Sequence, residues 1–231
     1  MGAIQQTQDF SWPNNWLDTS RISALKDIFT ACFNGISSEE YFEKYFNCSA
    51  AFKRVLRLYF ADGNIVGYCL LTFERANKKV LLRASAGFYP EFRQGGHTLS
   101  FSIQQAFKYW LMHPWQDIYY ADTMLSPAMY RAISKRVAIT YPSPQFLHHK
   151  RDLFDAFNKG GIVSSVTDTR CLVETGRSSA YSDDDLKAFF NSEKREIAFY
   201  CKANPHFSSG VALFVIMPIN LKQLVHTLFK R

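Results

Sequence analysis

Residues 53–75 constrain this chain more than any other stretch. The runs "KRVLRLYF" and "IVGYCLLTFER" are rich in β-branched and aromatic side chains, and "ADGN" stands between them. Such runs favour a pleated, half-buried strand. Asp62-Gly63 at the centre of the linker tolerates positive φ at both turn positions, so the two runs read as an antiparallel hairpin. The turn "RANKK" then leads into "KKVLLRASAGFYP", a third strand. A chain with this middle section is committed to an antiparallel meander, and the remaining segments have to cover it.

Those segments are mostly helical in pattern. "SRISALKDIFTACF" places Ile22, Leu25, Ile28, Phe29 and Phe33 on one helix face, with Ser20 as its cap. "SSEEYFEKYF" begins with Ser37 or Ser38 followed by acidic residues, which suits a helix start. After two adjacent glycines, "TLSFSIQQAFKYWLM" has helical spacing that puts Leu99, Ile103, Phe107 and Leu111 on one face. "QDIYYADTM" reads as a strand, and "SPAMYRAISKRV" as a helix capped by Ser126 with Pro127 in its first turn. Residues 138–168 are irregular, with a short helix expected in "HHKRDLFDAF". Further on come a strand from about Arg170 to Glu174, a capping-box spacing at Ser182 and Asp185, and a helix ending before Pro205. "VALFVIMPI" reads as a strand buried on both faces, followed by a helix capped by Asn220.

The expected class is therefore α/β in the α+β sense: a mixed, mainly antiparallel central sheet flanked by helices. Residues 1–19 read as an N-terminal arm, 20–137 as the core, and 138–231 as a part that completes the sheet after an irregular addition. Charge is uneven along this layout. Residues 1–52 hold three basic and six acidic side chains, whereas residues 53–110 hold nine basic and three acidic. A basic middle section suits an anionic ligand or surface. The five cysteines are widely spaced with no C-x-x-C pair, which points to reduced thiols and a cytoplasmic setting. No run of about 18 apolar residues is present, so no membrane-spanning helix is expected. The start of the sequence lacks the basic-then-apolar pattern of a secretory signal.

The glycine segment carries the most chemical information. Arg93-Gln94-Gly95-Gly96-His97-Thr98 follows a strand and opens a helix. Exposed backbone N–H groups at a helix start, together with the helix dipole, favour an anion. Glycine lets the backbone approach that anion closely. In this order of elements, and in "PEFRQGGHT", the chain resembles the GCN5-related N-acetyltransferase superfamily over roughly residues 20–137. The family loop reads Arg or Gln, two residues of any kind, Gly, any residue, then Gly or Ala; Arg93 and Gly96 take the first and fourth places. Thr98 stands where the family has a small residue, and His97 where an aliphatic one is usual. The resemblance implies that residues Arg93, Gln94, Gly95, Gly96, His97 and Thr98 hold the pyrophosphate of acetyl-CoA or another acyl-CoA. It also implies that Gly87, Phe88 and Tyr89 run beside the pantetheine arm.

Acyl transfer to an amine calls for a base and for an acid to the departing thiolate. Many members of the superfamily carry a glutamate on the strand before the loop, but "KKVLLRASAGFY" has no carboxylate. Glu74 on the neighbouring strand and Asp122 on the next are the substitutes. Tyr130, in the helix after that strand, is the candidate acid by neighbourhood rather than by family spacing. The implied activity is N-acylation of an amine on a small molecule, peptide or protein, with no metal. A relative that binds acyl-CoA without catalysis is the alternative. Nucleic-acid binding ranks last, because the six basic residues within 131–160 are interspersed with apolar ones and form no known reader motif. His148 and His149 are adjacent and lack a partner one turn away, so they do not suggest a zinc site. No G-x-S-x-G elbow or P-loop is present.

Overall fold

In the computed structural model Asp62 and Gly63 both take positive φ, 50° and 78°, and close the hairpin where the sequence places it. The structure describes residues 3–13, 16–33, 35–76, 78–92, 97–146, 150–175 and 181–229, with the backbone alone for His97 and Leu99. Two compact units divide the chain, Met1–Gln116 and Asp117–Arg231.

The first unit is built on four antiparallel strands: β1 (Gln6–Trp12), β2 (Ala51–Ala61), β3 (Asn64–Ala76) and β4 (Lys79–Phe88). β1 occupies much of the segment read as an arm. Its polar side chains hide the strand pattern, but Arg57 of β2 holds Asp9 through two hydrogen bonds, Nε to Oδ1 at 2.6 Å and Nη2 to Oδ2 at 2.8 Å. Phe10 is the buried residue of β1. The meander is covered by α1 (Thr19–Cys32) and α2 (Ser38–Tyr45). Asp18, rather than Ser20, caps α1, while Ser37 caps α2 in a reciprocal box with Glu40. Leu25, Ile28 and Phe29 enter one cluster with Tyr41, Phe42, Phe46, Leu56, Leu58, Tyr68 and Leu70.

Two phenols of that cluster meet a half-buried serine hydroxyl, that of Ser85. Tyr68 donates to Tyr41 at 3.0 Å, Tyr41 and Ser85 share a hydrogen bond of 2.7 Å, and Tyr68 and Ser85 one of 3.2 Å. The trio ties α2, β3 and β4 together and satisfies two phenols that burial would otherwise penalise.

α3 (His97–Met112) also belongs to this unit, and its inward face differs from the one its spacing suggests. Ile103 and Leu111 are exposed; Phe101, Ser102, Ala106 and Tyr109 are buried. Small side chains at 102 and 106 allow the helix to approach closely, and Ser102 Oγ lies 3.8 Å from Cys69 Sγ on β3. Two apolar stripes compete along this helix, and the one with small residues between its aromatics is the one that packs.

The second unit places its strands in the order β5, β8, β7, β6, all antiparallel: β5 (Asp117–Met124), β6 (Ile162–Ser164), β7 (Thr169–Glu174) and β8 (Val211–Pro218). β8 is buried along nearly its whole length, in keeping with its continuous apolar sequence. The helices are α4 (Pro127–Arg136), α5 (Arg151–Phe157), α6 (Asp183–Phe190), α7 (Arg195–Ala203) and α8 (Leu221–Leu228). Ser126 caps α4, Ser182 and Asp185 form the expected box on α6, and Asn220 caps α8. The molecule is thus α+β, with mainly antiparallel sheet flanked by helices. Among the described residues no helix is long and apolar enough to cross a membrane.

Candidate functional site

The end of β4 is shaped by a missing side chain on its neighbour. Gly67 on β3 leaves room for the Phe88 ring, whose nearest carbon lies 2.1 Å from where a Cβ would stand. The same ring packs against Tyr59 at 5.0 Å between centroids. Gly87 is buried, and a Cβ there would meet the Tyr68 ring at 2.8 Å and Cys32 Sγ at 3.4 Å. Tyr89 packs against the α1 cluster, and burial pushes its phenol pKa up. Its N–H donates to Val66 O at 3.1 Å. In an antiparallel ladder the polar groups alternate sides, so those of Phe88 turn toward the edge of β4 away from β3. There Phe88 O accepts from the Cys32 thiol at 3.0 Å. Phe88 therefore turns its backbone polar groups away from β3, while those of Gly87 and Tyr89 turn toward it.

A single helical turn, Pro90–Phe92, follows, with Phe92 N–H donating to Tyr89 O at 2.9 Å. Arg93, Gln94, Gly95 and Gly96 lie outside the described residues. α3 starts at His97 directly after them, and Thr98 is half-buried in its first turn.

The three residues considered for catalysis sit in different surroundings. Glu74 is 17% exposed and forms an ion pair with Arg83 at 3.2 Å. It faces Leu81 across the β3–β4 ladder, seven residues before Phe88, or about 23 Å along the strand from the end that leads to the glycines. Asp122 lies on β5 opposite Val215 of β8. Its Oδ1 accepts from Thr123 N–H at 2.7 Å, and burial pushes its carboxyl pKa up from 3.8 to about 6. Tyr130 of α4 is fully buried, packed near Phe199 and Tyr200, and donates its hydroxyl to Pro142 O at 3.0 Å. Burial raises its pKa above the usual phenol range.

Two features escaped sequence reasoning. One is the Cys32 thiol at the end of β4, which no motif signals because α1 lies far from β4 in sequence. The other is a cavity of about 120 Å³ in the second unit, lined by Tyr130, Ser134, Thr140, Ser143, Arg195 and Glu196 among others. Its wall comes from the irregular residues 137–145 and the start of α7, which have no periodicity to read. The Thr140 hydroxyl is buried there without a hydrogen-bond partner. Among the described residues no group of three or more His, Cys, Asp or Glu side chains is placed to hold a metal ion. His148 and His149 lie outside the described residues.

No family model matches the sequence, and no curated protein matches it. Solved structures do match. The ribosomal-protein-S18-alanine N-acetyltransferase from Escherichia coli aligns over 94% of this chain and 96% of its own, at 10% identity and a TM-score of 0.39. Arabidopsis thaliana Naa50 in complex with the bisubstrate analogue CoA-Ac-MVNAL aligns over 92% and 99%, at 12% identity and a TM-score of 0.39. The GphF GNAT-like decarboxylase in complex with isobutyryl-CoA aligns over 93% and 99%, at 11% identity and a TM-score of 0.41.

Proposed function

We propose that this chain binds an acyl-CoA at the end of β4 and the start of α3, and transfers the acyl group to an amine. The observation that carries this reading is the join itself. The end of β4 leads, through Arg93-Gln94-Gly95-Gly96 in the sequence, to the first turn of a helix of 16 residues. Arg93 brings a full positive charge, the glycines allow close approach, and the helix start supplies N–H groups and a favourable dipole for a pyrophosphate. An extended amide-bearing arm would lie alongside Gly87, Phe88 and Tyr89, in the manner of another strand.

In the reaction, the amine nitrogen attacks the thioester carbonyl, the carbon–sulfur bond breaks, and CoA leaves as a thiolate that takes up a proton. Asp122 is chemically the best suited of the three candidates to accept the ammonium proton, because a carboxyl titrating near 6 is closer to neutrality than an ordinary one. Glu74 is engaged by Arg83, and Tyr130 would have to release Pro142 O before it could protonate a thiolate. The acceptor class is an amine on a small molecule, peptide or protein.

Acyl-CoA should raise the melting temperature, since a ligand that binds the native state alone stabilises it. No rise with any chain from acetyl to palmitoyl would sink the reading. Gly96→Glu should abolish the rise by placing an anion in the cradle. A second reading, acyl-CoA binding without transfer, is favoured by the absence of Asp and Glu from β4 and by the engagement of the Tyr130 hydroxyl. Release of free CoA in the presence of a panel of amines separates the two. An enzyme releases it, and Asp122→Asn slows the release while the thermal shift persists.

A further inference from the structure

α8 is built the opposite way round from an ordinary surface helix. Its buried side chain is polar. The Gln223 amide makes two bonds to one residue, Nε2 donating to Ile139 O at 2.9 Å and Oε1 accepting from Ile139 N–H at 2.8 Å. Thr227 Oγ1 accepts from Ala138 N–H at 3.2 Å. One outward face is apolar: Leu221 is 60% exposed, Val225 39%, Leu228 72%, and Phe229, just past the helix, 81%. These positions recur at the spacing of a single helix face. Single exposed leucines are common on protein surfaces, but a contiguous apolar face marks an interaction site.

The charge around that face narrows the occupant. Residues 219–231 contain three Lys or Arg and no Asp or Glu, and both Lys222 and His226 are exposed on α8. A second copy would bring like charges together. An eight-residue helix is about 12 Å long, and one face of it falls far short of the roughly 800 Å² per partner that a stable protein interface buries. Interfacial binding needs less: a few apolar side chains inserted below the headgroups, with basic residues drawn to anionic lipid.

We propose that α8 is an interfacial anchor, lying flat on an anionic phospholipid surface with Leu221, Val225, Leu228 and Phe229 inserted and Lys222 among the headgroups. The anchor does not depend on acyl-CoA chemistry. Gln223 and Thr227 fix the helix to the segment at Ala138 and Ile139, so the apolar face is held outward in advance of binding.

Flotation of the full chain with vesicles tests this. The protein should float with phosphatidylcholine–phosphatidylserine vesicles, remain behind with phosphatidylcholine alone, and lose binding at high salt. The double variant Leu228→Gln, Phe229→Gln should bind at least about tenfold more weakly, and Lys222→Glu about fivefold more weakly. These side chains are exposed, so circular dichroism and the melting temperature should match the parent and exclude misfolding as the cause. Failure to float with anionic vesicles overturns the proposal, as does equal binding to neutral vesicles or unchanged binding by the double variant. A dimer that the double variant converts to monomer, without vesicle binding, would assign the face to a second copy instead.

Discussion

α1 and α8 are both started by a short polar cap and both carry apolar residues at helical spacing, yet they turn opposite faces to the protein. In α1, Asp18 Oδ1 accepts from Arg21 N–H at 2.8 Å, and Leu25, Ile28 and Phe29 are buried. In α8, Asn220 Oδ1 accepts from Gln223 N–H at 2.8 Å, and Gln223 is the buried residue. Periodicity shows that a helix has two faces, but the surface it meets decides which one goes inward. α1 meets an aromatic-rich sheet face. α8 meets the backbone of Ala138 and Ile139, whose N–H and C=O groups need partners when covered.

The contrast makes graded predictions. Phe29→Ala should cost about 3–5 kcal/mol in denaturant unfolding, because it empties a site enclosed by Tyr41, Phe46 and Tyr68. A cost below about 1 kcal/mol would remove the claim that α1 is held by apolar burial. Asp122→Asn extends the comparison to a half-buried carboxylate that bears a desolvation cost, and should stabilise. The folded-state pKa is raised to about 6 from 3.8, so the penalty is absent below the lower value, grows as pH rises between the two, and is complete above. The gain should approach about 3 kcal/mol at neutral pH and vanish at low pH. Equal unfolding energies at both pH values would show that the carboxyl is not held in this way. Gln223→Ala should cost about 1–3 kcal/mol by leaving Ile139 N–H and O without partners. Smallest is Leu228→Ala, which should change stability by less than about 0.5 kcal/mol. A loss comparable to that of Phe29→Ala would mean that the outward face of α8 is covered after all.

The same logic explains what could be read from the sequence. The hairpin at Asp62-Gly63 was legible because a tight turn is a local requirement written in two residues. The caps at Ser37, Ser126, Ser182 and Asn220 were legible for the same reason. β1 was not, because "QTQDFSW" owes its strand state to β2 and to the Asp9–Arg57 pair. The inward face of α3 was misread because Ser102 and Ala106 are chosen by closeness of approach, which hydropathy does not score. At the candidate site, the glycines and Arg93 stand out as a motif in the sequence, but they lie outside the described residues. Cys32 beside Phe88 does not stand out, since 56 residues separate them and nothing local requires their meeting.

The hydroxyl trio of Tyr41, Tyr68 and Ser85 acts as a checkpoint on strand alignment. If β4 slid by one residue against β3, Ser85 would swing to the opposite face of the sheet and Tyr68 would lose that partner in the apolar interior. Such a slip would also carry the end of β4 about 3.3 Å along the sheet. One serine hydroxyl three residues ahead of Phe88 therefore rejects misaligned sheets in which the end of β4, and the acyl-CoA site proposed beside it, would form in the wrong place.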